Sequence, residues 1–146
     1  MKQSKKIIKK PVQKKAKKKT SLHANVSPCI YSWVGAGAGR SGIGFNYTTT
    51  YDGAATEIYL DRGKGFPTLN KERFDELLKN KKEIEAKFGG ELSWERLDTK
   101  RASRMAFRIK DAGLKDKEKW PELQDKMIDA MIRLSGASKN FIERLK

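Results

Sequence analysis

The chain has 146 residues and a formal net charge of +15, which suits one small domain with a charged extension. Its single cysteine, Cys29, excludes an internal disulfide and a multi-cysteine zinc site, and its single histidine, His23, excludes a two-histidine metal motif. No apolar run approaches the roughly 20 residues needed to span a bilayer.

Residues 1–20, MKQSKKIIKKPVQKKAKKKT, hold ten lysines and no acid. Without them 23 basic residues face 18 acidic ones, so the body carries only a mild positive excess. Like charges at that density repel and Pro11 interrupts any helix, so the segment is expected to stay extended and mobile in free solution. Such an arm settles on a polyanion, and nucleic acid is the commonest in a cell. The run KKPVQKKAKKK reads either as a generic polyanion-binding arm or, in a eukaryotic host, as a nuclear signal. Ile7 and Ile8 are too short a run for a secretory h-region, and the absence of arginine argues against a mitochondrial presequence. The expected location is the prokaryotic cytoplasm, at the nucleoid if the target is DNA. Residues 21–28 form a polar linker ending in Pro28, and His23 there reads as solvated. Residues 1–28 are therefore tail and linker, and 29–146 the folded domain.

Residues 29–34 (CIYSWV) read as a first strand, β-branched and aromatic. A glycine-rich stretch follows, GAGAGRSGIG over 35–44. From Ile43, Phe45 and Tyr47 alternate with Asn46 and Thr48, which is a second strand closed by the Asp52-Gly53 turn signal. Residues 56–61 (TEIYLD) alternate again as a third. Asn70 is read as the N-cap of a helix stopped at Gly89-Gly90, with Leu69 and Phe74 as its hydrophobic staple. Residues 91–97 (ELSWERL) form a fourth strand with Leu92 and Trp94 inward. Residues 103–110 (SRMAFRIK) form a fifth, with Met105, Phe107 and Ile109 on one face and Arg104, Arg108 and Lys110 on the other. Pro121 opens a last helix, which Gly136 is placed to bend or briefly interrupt. The order β-β-β-α-β-β-α gives a two-layer α+β domain: a mainly antiparallel sheet of about five strands covered by two amphipathic helices.

Gly37-Ala-Gly39-Arg-Ser-Gly42 fits the G-x-G-x-x-G spacing of a dinucleotide loop. That loop needs a helix after it to hold the pyrophosphate, whereas a strand pattern follows here. A hairpin connection is the better reading, with Arg40 and Ser41 as candidate phosphate contacts. Arg104, Arg108 and Lys110, with Lys100 and Arg101 in the preceding turn, either lie along a phosphate backbone or pair with Glu95 across the hairpin. The metal-nuclease triplet acid-x-Lys occurs only as Asp98-Thr-Lys100, in a turn, and Glu85-Ala-Lys87, on a helix. Neither is preceded by Pro-Asp, and Glu57, Asp61 and Lys64 lack the nuclease spacing. Trp94 reads as core. Trp33 and Trp120 are candidates for base stacking, with partial burial the default.

The succession of Trp33, the turn Gly39-Arg-Ser-Gly-Ile43, Glu57-Ile-Tyr-Leu60, Phe74-Asp-Glu-Leu-Leu78, Ile84-Glu-Ala-Lys-Phe-Gly89, Trp94-Glu-Arg-Leu97, the strand at 104–109 and Trp120 resembles a bacterial and archaeal domain-of-unknown-function family, number 4268. The resemblance covers roughly residues 29–146. It implies an accessory module linked to DNA or to defence, because members often follow nuclease-like domains. It implies no catalytic residues. Here the lysine segment stands where a preceding domain would be, so it is expected either to replace a DNA-targeting partner or to mark the chain as a fragment of a larger nuclease-like protein.

These readings combine into a non-catalytic nucleic-acid-binding accessory module. The expected contact residues are Lys5, Lys6, Lys9, Lys10, Lys14, Lys15, Lys17, Lys18 and Lys19 in the arm, and Arg40, Arg101, Arg104 and Arg108 in the body. No cofactor, metal or membrane is expected, and a nuclease-like subunit is the candidate protein partner. The alternatives are a metal-dependent nuclease using some of Glu57, Asp61, Asp98 and Lys100, and a regulatory or ribonucleoprotein component that binds another protein.

Overall fold

The computed structural model describes residues 33–145. The lysine segment, the linker with His23, most of the expected first strand and the side chain of Trp33 lie outside the described residues.

The domain is α+β. Strands β1 (Trp33–Gly37), β2 (Ile43–Thr49) and β3 (Ala54–Leu60) form an antiparallel meander. β2 buries alternate residues, Ile43, Phe45, Tyr47 and Thr49, as a strand with one covered face must. β3 also pairs with β5 (Ser103–Ile109) along its whole length, Ala54 opposite Ile109 and Leu60 opposite Ser103. The short β4 (Ser93–Glu95) pairs with the outer side of β5, completing the order β1-β2-β3-β5-β4.

Three described helices cover one face of this sheet: α1 (Pro67–Lys79), α2 (Lys81–Phe88) and α3 (Trp120–Glu143). Phe74 of α1 meets Trp94 edge-on at 6.2 Å, and Phe88 of α2 lies 5.5 Å from Phe107. The buried hydroxyl of Thr56 donates to the Met127 carbonyl of α3 at 3.1 Å. Ile58, Leu60, Leu77, Ile84, Met105 and Met131 are sealed between the layers. That burial is the main stabilising term for a domain of this size.

The single helix expected from Asn70 to Gly89 is two. α1 begins at Pro67, whose fixed φ suits a first helical position. Asn70 is therefore inside the helix and is no cap. Its buried amide accepts from the Arg62 amide (3.0 Å) and donates to the Arg101 carbonyl (3.2 Å). At Asn80 the backbone amide bonds to the Leu77 carbonyl and the side chain donates to the Glu76 carbonyl, so one helix ends and the next begins. The order is thus β-β-β-α-α-β-β-α. Gly89 ends α2 at φ +91°. The expected strand over 91–97 contracts to Ser93–Glu95. The Leu92 amide (2.8 Å) and the Trp94 indole (3.1 Å) both donate to Glu85 Oε2, which draws the chain toward α2. The β4–β5 turn is held by Lys71, whose ammonium donates to the carbonyls of Arg96, Leu97 and Ala102 and to Ser103 Oγ, at 2.5 to 3.0 Å. α3 runs unbroken through Gly136. No described helix is long and apolar enough to cross a membrane.

Candidate functional site

The sheet face opposite the helices gathers the polar residues of the alternating strands. Register sets Asn46 beside Glu57, Tyr59 beside Arg104, and Arg104 beside Glu95. Glu95 is the hub. It accepts from Arg104 Nε at 2.9 Å, from Arg108 Nε and Nη2 at 2.7 to 3.0 Å, and from Ser93 Oγ at 2.8 Å. Arg104 also stands 3.9 Å from Glu57 Oε2. Planar guanidinium forks on a carboxylate are the stronger class of charge-assisted bond.

The two carboxyls respond oppositely to one face. Burial pushes Glu95 up, but the bonds from Arg108, Ser93 and Arg104 outweigh it and hold the group below its usual range. Glu57 is only 4% exposed, and burial raises its carboxyl despite Arg104 and a hydrogen bond with Asn46. At low pH Glu57 is protonated in both folded and unfolded chains. As pH rises past the ordinary carboxyl range, the unfolded chain loses this proton first, so stability falls. Glu57→Gln is therefore expected to stabilise the protein at pH 7 by about 1 kcal/mol and to leave it unchanged near pH 4, a difference read from urea midpoints at the two pH values.

The four body arginines expected to meet phosphate are not one cluster. Arg104 and Arg108 come together on Glu95, the cross-hairpin pairing. Arg101 bonds Asp61 at 2.8 Å, and Asp61 also accepts from the Gly63 amide. The Arg101 bond foremost keeps that carboxyl low. Arg40 donates to the carbonyls of Ile142 (3.1 Å) and Glu143, capping the C-terminal end of α3, where partial negative charge gathers. The glycine stretch is a hairpin. Ala38 donates to the Ile43 carbonyl at 2.9 Å, Gly39 and Gly42 take φ +85° and +80°, and strand β2 follows.

The nuclease triplets are also engaged elsewhere. Asp98 pairs with Arg96, which grips Asp75 as well, and Glu85 holds Leu92 and Trp94. Among the described residues no three His, Cys, Asp or Glu side chains stand together as a metal site would require. Trp94 packs on Phe74 as expected of a core residue. Trp120 is 8% exposed and its indole donates to the Gly113 carbonyl at 3.3 Å, which ties it into the core. Sequence reading overlooked the burial of Glu57. That burial follows from the central place of β3 between β2 and β5, which no local pattern records.

A family model described as a domain of unknown function (DUF4268) matches residues 10–142. No curated protein and no solved structure matches the chain.

Proposed function

The chain belongs to the DUF4268 family, and from that premise we propose that it is a nucleic-acid-binding accessory module in which the lysine segment makes the phosphate contacts and the folded body performs no chemistry. The observation that carries this reading is the distribution of charge. Ten lysines stand without an acid in residues 1–20, while Arg40, Arg101, Arg104 and Arg108 of the body are matched by carbonyls or carboxylates of the same chain. The arm acts by releasing counterions from phosphate, which requires no base recognition. The body then orients the arm or docks it to a nuclease-like subunit. This reading implies the prokaryotic cytoplasm, at the nucleoid when DNA is bound.

Affinity for duplex DNA or RNA is expected to fall steeply with added salt and to vary little with base sequence. Each lysine that neutralises a phosphate of duplex DNA contributes about 0.9 to the slope of log affinity against log salt. Deletion of residues 1–20 is expected to flatten that slope to nearly zero in a fluorescence-anisotropy titration. An unchanged slope in the shortened chain overturns the assignment of the arm.

A further inference from the structure

β4 covers only part of its neighbour. It pairs with β5 at Arg104, Met105 and Ala106, and no described strand pairs with Phe107, Arg108 or Ile109 on that side. The cause lies in Glu85, whose carboxylate holds the Leu92 amide and the Trp94 indole and so leads the chain preceding Ser93 off the ladder. In a strand, successive residues direct their N–H and C=O groups to alternate sides. Part of this uncovered stretch therefore presents backbone donors and acceptors outward, whichever register applies. A cavity of about 330 Å³ lies directly on this edge, between β5 and the side of α3 that bears Lys126, Asp129 and Arg133. Phe107, partly buried against the core, helps line it.

We propose that this groove accepts an extended acidic peptide, which adds to the sheet as a strand beside β5, in line with β4. The strand-addition mode supplies affinity through main-chain bonds and specificity through side chains on the walls. Charge chooses the occupant. Lys126 is paired with Asp111 at 3.5 Å, Arg133 with Asp129 at 3.0 Å and Arg108 with Glu95 at 2.7 Å. Every acid lining the groove is thereby matched, and Lys110 remains exposed with no partner among the described residues. The rim is left positive. A second copy of the same edge would bring Arg108 and Lys110 against their equivalents, which like-charge repulsion disfavours. Carboxylates along one face of a guest strand would instead meet Lys110 on the open side of the sheet, or Lys126 on the α3 side in the opposite facing. This inference is independent of what the lysine arm binds.

The test uses the full chain and a fluorescein-labelled peptide of alternating Val and Glu or Asp, read by anisotropy. A second peptide of identical sequence carries N-methyl groups on alternate residues, which keeps its charge and removes its edge hydrogen bonds. The unmethylated peptide is expected to bind, and methylation to weaken it by about tenfold through lost main-chain bonds. The exposed double variant Lys110→Glu/Lys126→Glu is expected to weaken it by at least about tenfold. Equal binding of the two peptides would mean charge attraction alone, to the arm or elsewhere, and would overturn the proposal. So would absence of binding, or binding indifferent to the charge reversal.

Discussion

Gly42→Ala is expected to destabilise the fold by about 3 kcal/mol, from a left-handed backbone and a backbone clash together. Gly42 sits at φ +80°, where a side chain costs about 1–2 kcal/mol. A Cβ placed there would lie 2.5 Å from both Arg62 Cα and Arg62 Cβ. Arg62 cannot easily retreat. Its amide is held by Asn70, and the Asp61 amide donates to the Gly42 carbonyl at 2.8 Å. Gly39→Ala is the control: φ is +85°, yet among the described residues no atom beyond its chain neighbours stands within 4 Å of the added carbon. Gly39→Ala should lose only the conformational part, leaving a gap of about 1–2 kcal/mol between the variants in chemical denaturation. Equal losses would show that the contact with Arg62 is irrelevant. The G-x-G-x-x-G spacing therefore has a structural cause here. One glycine turns the hairpin, and another lets the loop after β3 pass close by.

Alternation made much of the sheet legible. β2 buries one face, while β3 and β5 keep their larger apolar side chains, Ile58, Leu60, Met105 and Ile109, on the core face and also bury Ala55, Glu57 and Ala106 on the other, so a period-2 pattern survives in the sequence. The break at Asn80 did not show, because Phe74, Leu77, Ile84 and Phe88 all point into one core on both sides of it. Asn70 suggested a cap because a short amide suits that role. Its actual bonds, one of them to a carbonyl 31 residues away, depend on tertiary contact. The same limit applied to the site. The alternation correctly set Arg104 and Arg108 on one face. Their neutralisation depends on the β4–β5 register that puts Glu95 opposite Arg104. The partners of Arg40 and Arg101 lie 102 and 40 residues away, beyond any local signal.

Glu95→Gln is expected to cost about 2 kcal/mol of stability at neutral pH, because Arg108 loses its charged partner and Arg104 keeps only the more distant Glu57. Partial exposure of both arginines, 31% and 37%, sets this below the loss for a fully buried pair. The pH dependence runs opposite to that of Glu57. Glu95 is held below the usual carboxyl range in the folded chain, so its contribution is present at neutral pH and is lost as pH falls through that depressed value. Wild type and variant should therefore converge in acid. The same substitution frees cations on the sheet face. In the full chain it should steepen the salt dependence of duplex binding, by about 0.9 for each arginine that reaches a phosphate. A variant that loses stability while its salt slope stays fixed would show that this face never meets the phosphate backbone, even when uncovered. The arm would then carry the polyanion contact alone, and the arginine–glutamate network would serve only to hold β4 onto the sheet.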